Sequence, residues 1–140
     1  MQDDPAAFAA AWRHALAQSP WFRTNAATWT HGTLSLQIDP DPSPCSARAA
    51  QGEAWRLLLD VHEGELRALG PCTADEARAA RFRLKAPRAT WCRVLAGELD
   101  PMKAILEGHV HLAGRLGELA PFVRAAQELA EAARAALKNA

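Results

Sequence analysis

With 140 residues, 49% of them apolar, this chain is long enough to bury about two-thirds of its unfolded surface, and its composition excludes disorder. Its 16 basic residues balance 16 acidic ones, so no global field draws nucleic acid or an anionic membrane to it. No apolar run reaches the ~18 residues of a membrane-spanning helix, and the acidic start Met-Gln-Asp-Asp-Pro does not read as a signal peptide.

In chain order, residues 4–18 place Phe8, Ala11, Trp12, Ala15 and Leu16 at helical spacing, which predicts an amphipathic helix. Ser19-Pro20 ends it, because the residue before proline avoids helical angles. Trp21 and Phe22 open a short second helix. Residues 33–38 alternate strictly, with Leu34, Leu36 and Ile38 on one face of a half-buried strand. Trp29 lies out of phase with that face, so a bulge near Gly32 is expected. The run Asp39-Pro-Asp-Pro-Ser-Pro-Cys-Ser46 holds three prolines and reads as extended loop.

A second strand over 55–62 puts Trp55, Leu57, Leu59 and Val61 on one side and Leu58 on the other. That suits a sheet covered on both faces, by helices or by a second subunit. His62-Glu-Gly-Glu65 is a tight turn into a weaker third strand with Leu66, Ala68 and Leu69. Thr73-Ala-Asp-Glu76 matches a capping box, in a segment short enough to leave helix and loop open. Residues 80–86 alternate again, with Ala80, Phe82, Leu84 and Ala86 opposite Arg81, Arg83 and Lys85.

The stretch 90–114 is the most informative. It reads as two short helices, each stopped by a glycine, and then a strand stopped by another. Asp100 is a good N-cap, Pro101 suits the first helical position, and Gly108 suits the left-handed residue after the end. Val110 and Leu112 then face one way and His109 and His111 the other. A last helix begins at Pro121, with Phe122, Ala126, Leu129, Ala130, Ala133 and Leu137 on one stripe. Strands grouped in this order predict an α+β fold with helices on one side of a sheet.

Little of this points to catalysis. Cys45, Cys72 and Cys92 are scattered and odd in number, which predicts reduced thiols in a cytoplasmic protein. His109 and His111 would share a strand face, but no neighbouring acid or thiol is read as completing a coordination sphere, so no metal is expected. Cys92 has no local activation signal. The glycines form no phosphate-cradling pattern. The aspartates of the proline-rich run are explained by turn chemistry. No catalytic residue and no cofactor is expected.

The pattern over 91–114, W-x2-V-L-x-G-x-L-D-P-x3-I-L-x-G-x-V-x-L-x-G, resembles the C-terminal half of sterol carrier protein-2 domains. The similarity is strongest over 80–130 and weak over 39–55. The ending Leu119-Ala-Pro-Phe-Val-Arg-Ala-Ala-Gln-Glu-Leu129 looks most like stand-alone bacterial members. The resemblance implies one domain over 1–140, with a five-stranded, mostly antiparallel sheet covered by helices. It also implies an apolar tunnel that binds or transfers a fatty acyl chain, an acyl-CoA, a sterol or another lipid, and no enzyme activity. Carried over by position, the tunnel would be lined by Trp12, Leu36 and Leu59, by Trp91, Val94 and Leu95, by Met102, Ile105 and Leu106, and by Leu112, Phe122 and Ala126. Two departures bear on the choice of ligand. Pro87 stands where a polar helix cap is expected, and Arg115 follows Gly114 where many members have an acid.

Periodicity alone does not separate a hollow interior from a filled one. The alternative reading is therefore a closed core that serves as an assembly module for a partner enzyme. A homodimer is left open. The six cations Arg78, Arg81, Arg83, Lys85, Arg88 and Arg93 stand between Ala77 and Gly97 with no acid among them. Arg81, Arg83 and Lys85 share a strand face. They either pair with acids such as Asp60 or Glu65, or touch anionic headgroups, at a membrane in passing or on the bound lipid itself.

Overall fold

The computed structural model describes residues 5–30, 32–40 and 54–138. Most of the proline-rich run, from residue 41, lies outside them, with Cys45 and the loop expected there. So do the side chains of Pro20, Trp21, Leu137 and Lys138.

Helix α1 (Pro5–Ala17) buries Phe8, Ala9, Trp12 and Leu16, the face its spacing predicts. Helix α2 (Pro20–Asn25) is capped by Ser19, whose side chain accepts from the Phe22 N–H, with Pro20 in the first turn. Strand β1 (Thr33–Asp39) and strand β2 (Trp55–His62) pair antiparallel, and β2 turns into β3 (Glu65–Pro71). The turn has positive φ at both central residues, 49° at Glu63 and 85° at Gly64, as a two-residue hairpin on right-twisted strands requires. Gly64 is needed for a second reason: a Cβ there would lie 2.4 Å from the Arg23 carbonyl oxygen, so α2 rests directly on the turn. Among the described residues the β1 ladder begins at Thr33 with no register shift, and Gly32 lies outside it. The ladder shifts instead between Asp60 and Val61, where β3 skips a residue against β2. Trp29 precedes β1 and is buried, its indole N–H held by the Gly32 carbonyl.

The capping box resolves as helix α3 (Ala74–Ala79), with Thr73 and Glu76 satisfying each other's backbone N–H. Strand β4 (Phe82–Pro87) returns beside β1, in parallel. Helix α4 (Arg88–Leu95) opens on Pro87 with no side-chain cap. Helix α5 (Pro101–Leu106) is capped by Asp100, and Gly108 follows it at φ 83°. Strand β5 (His111–Ala113) pairs antiparallel with β4. A short helix not expected from the sequence, α6 (Leu116–Leu119), runs through a 3-10 turn (Ala120–Phe122) into α7 (Val123–Lys138).

The sheet order is β3-β2-β1-β4-β5, antiparallel at every pair except β1–β4. This is the α+β, five-stranded, mostly antiparallel arrangement expected. Leu34, Leu36, Ile38, Leu57, Leu59, Phe82 and Leu84 face α1, α2, α4 and α7. The opposite face is not bare. Ser35 is buried there, and its hydroxyl donates to the Ala77 carbonyl 3.1 Å away. Helix α3 of the same chain therefore lies over β1 and β2, on the side where Leu58 points. A satellite cluster of Ala86, Val94, Leu99, Ala104 and Val110 anchors α4 and α5 to the end of the sheet.

Candidate functional site

Between the sheet and its larger helical layer lies a cavity of ≈ 150 Å³, neither sealed nor a surface groove. Its wall is built from all parts of the chain. Helices α1 and α2 supply Phe8, Trp12 and Phe22, and the sheet supplies Leu34, Leu36, Ile38, Leu59, Val61 and Leu84. Helix α4 gives Trp91, Val94 and Leu95, and α5 gives Pro101, Met102 and Ile105. The C-terminal segment gives Leu119, Phe122 and the α7 stripe Ala125, Ala126, Leu129, Ala130 and Ala133. Trp29 and Ala26 close the end near the hairpin.

Among the described residues every lining side chain is apolar, and the N–H of each of the three indoles is engaged by a backbone carbonyl. Trp12 donates to the Leu129 carbonyl (3.0 Å), Trp29 to the Gly32 carbonyl (3.0 Å) and Trp91 to the Gln37 carbonyl (3.1 Å). The rings also brace one another. The Trp29 ring lies 4.8 Å from Phe122 in an edge-on contact and 5.5 Å from Phe82, and Phe8 lies 5.7 Å from Trp12. Leu36 and Leu84 sit on two of the three inner strands, under the helices, yet neither is fully buried. Side chains in such central positions keep exposure only where the interior is incompletely filled.

Ten of the twelve residues expected to line a tunnel meet here: Trp12, Leu36, Leu59, Trp91, Val94, Leu95, Met102, Ile105, Phe122 and Ala126. Leu106 does not. It is 69% exposed. A helix steps about 100° per residue, so the inward arc of α5 centres on Pro101 and Ile105, and Leu106 falls about 40° beyond Met102, outside the wall. Leu112 is also outside. It packs against the core from β5, an edge strand of three residues one strand removed from the cavity's centre. Phe8, Phe22 and Trp29 were not expected in the wall; their burial at helical or loop positions gave no separate signal of a void.

Two members of the basic strip lie on the wrong side of the sheet for a guest in this cavity. Phe82, Leu84 and Ala86 face inward, so Arg83 and Lys85 face out through the other surface; Arg81 precedes the strand, and its guanidinium lies 5.9 Å from the Phe82 ring centre. Reaching a headgroup at the cavity from Arg83 or Lys85 would mean crossing the sheet. Two of the three are paired, but not with Asp60 or Glu65. Arg81 Nη2 lies 3.0 Å from Glu118 Oε1, and Lys85 Nζ lies 3.9 Å from Asp39 Oδ2. Arg83 has no ion pair among the described residues.

His111 alone of the two histidines lies in β5. His109 precedes the strand, with its Nε2 3.4 Å from Glu107 Oε2, a contact not expected from the sequence. No three metal-capable side chains gather among the described residues, and no described helix is long and apolar enough to cross a membrane. A second depression of ≈ 490 Å³ lies between α1 and α7, but His14, Gln18, Glu128 and Glu131 line it, which makes it a poorer host for hydrocarbon.

Cys92 is exposed, and Cys72 is half-buried. Burial, and next the Glu76 carboxylate, push the Cys72 thiol above its ordinary range, against the smaller pull of Arg56. Less thiolate at neutral pH means slower alkylation. Iodoacetamide followed by peptide mapping is expected to modify Cys92 well before Cys72; the reverse order would refute this assignment.

The fold and cavity can be compared with known proteins. A profile of the SCP-2 sterol transfer family matches residues 13–127. A crystal structure of sterol carrier protein 2 is similar at 35% identity and a TM-score of 0.77, over 92% of this chain and 95% of that one. A conserved hypothetical protein of Thermus thermophilus, described as possibly a sterol carrier protein, is similar at 34% identity and a TM-score of 0.76, over 93% and 86%. Sterol carrier protein 2 of Yarrowia lipolytica, in its apo form, shares the fold at 10% identity and a TM-score of 0.60, over 93% and 97%. No match is found among the curated proteins. The profile match over most of the chain, with one sheet topology shared at a third of identical positions, means that this chain belongs to the SCP-2 sterol transfer family.

Proposed function

We propose that the chain is a non-enzymatic lipid carrier that holds the hydrocarbon part of its ligand in the cavity and leaves the polar head at the opening. The observation that carries this is the wholly apolar wall, in which even the three indole N–H groups are engaged by backbone carbonyls. A head buried there would lose its water without gaining a partner, at a cost of several kcal/mol. A methylene moved into such a wall contributes about 0.8 kcal/mol, so a chain of roughly 16 carbons offers on the order of 10 kcal/mol before ordering costs. Micromolar affinity corresponds to about 8 kcal/mol, so a chain covered over most of its length needs no strong polar anchor.

The void at rest suits a short or ring-sized guest. A longer chain has a way out where Leu95, Met102, Ile105, Ala126 and Ala130 remain partly exposed, between α4, α5 and α7. This reading expects a fluorescent fatty acid to bind and to be displaced by unlabelled fatty acids, acyl-CoAs or sterols, and native mass spectrometry to find co-purified lipid. Absence of binding across that panel would leave the assembly-module reading in its place.

A further inference from the structure

We infer that helix α5 is the element that docks this protein on a lipid bilayer, with Leu106 as its inserting side chain. The inference rests on the carrier reading for its purpose but not for its test. Among the described residues, Leu106 is the exposed large hydrophobic, at 69%. It stands on the same six-residue helix that gives Pro101, Met102 and Ile105 to the cavity wall. Met102 and Ile105 are themselves only partly buried, so one apolar surface runs from the void, around the helix, to Leu106. A leucine left in water on a free surface needs no explanation alone. One continuous with a hydrocarbon-binding cavity lies where the cavity must face its source of hydrocarbon.

The helix is held firmly enough to act as a ridge. Ala104 is fully buried in the satellite cluster. Asp100 accepts from the Lys103 N–H and from the Gln127 side chain at 3.0 Å, which ties α5 to α7. Lys103 projects beside Leu106, 70% exposed, with Glu107 3.9 Å away. Lys103 and Glu107 form an ion pair, so this face of the helix carries no net charge, and insertion rests on the apolar side chain with the paired heads at headgroup level. The outward sheet face is the competing surface, and Arg83 is its cation with no ion pair among the described residues.

The experiment compares wild type, Leu106→Asp and Arg83→Ser in sedimentation with sucrose-loaded vesicles of phosphatidylcholine, with and without phosphatidylglycerol. The same proteins are assayed for equilibrium binding of a fluorescent fatty acid and for its transfer rate to those vesicles. Leu106→Asp is expected to lower vesicle association and transfer about tenfold, as the loss of one inserted leucine implies. Its equilibrium binding and melting point should stay at the wild-type values, and Arg83→Ser should behave as wild type. Association equal in Leu106→Asp and wild type overturns the inference, as does a loss confined to Arg83→Ser. If wild type binds no fatty acid while sedimentation still depends on Leu106, the carrier reading fails and the docking surface stands.

Discussion

Replacing Ile105 by tryptophan is expected to cut affinity for a fluorescent acyl probe by about tenfold to a hundredfold and to leave the fold standing. Ile105 is a partly exposed wall residue of α5. The larger side chain has the ≈ 150 Å³ void to enter, so it displaces guest rather than neighbours. Excluding two to four methylenes of the guest removes roughly 1.6–3 kcal/mol of binding. In a filled core the same substitution would overpack, costing about 1–3 kcal/mol of stability. Titration and thermal melting together separate the cases. A sharply lowered melting point with unchanged probe affinity would make this wall ordinary core.

The second large effect is on stability. Phe82→Ala is expected to cost about 3–5 kcal/mol, and so to lower the melting point by roughly 10 °C or more. Phe82 has no exposed surface. It supports the Trp29 ring, and the Gly114 backbone lies so close that a Cβ there would meet the Phe82 ring at 2.7 Å. It does not line the cavity itself, so Phe82→Leu, with less volume lost, should keep much of the stability and most of the binding. A loss below about 1 kcal/mol for Phe82→Ala in denaturant unfolding would mean that the site collapses around the gap, contrary to this packing.

What the sequence made legible follows from where the signals lie. Asp100-Pro101 with Gly108 and the Thr73–Glu76 box are local devices, and the structure realises both. Alternation in 33–38, 55–62 and 80–86 identified strands and their inward faces. The sheet order was not local information, and that is why the acids paired with the strip were misjudged. Glu118 and Asp39 reach Arg81 and Lys85 only once β4 lies between β1 and β5. Leu106 was misplaced because a helix of six residues has no second turn to reveal which arc is inward. Phe8 carries the pattern of core, which is also the pattern of a cavity wall, and Trp29 stands outside any periodic element; a missing volume leaves no periodicity.

The parallel pairing of β1 with β4 has a consequence in time. The β2–β3 hairpin closes through a two-residue turn, an event of microseconds. Bringing Leu34 beside Phe82 closes a far longer loop, and that entropy is lost before most of the contacts it permits are made. The cavity wall draws on both sides of this closure, from α1 to α7. Until β1 and β4 meet, the surface that later encloses a guest lies open along an unfinished chain. Closure of β1 on β4 is therefore expected to be the slow step of folding, and the apolar wall stays open to aggregation until it is complete.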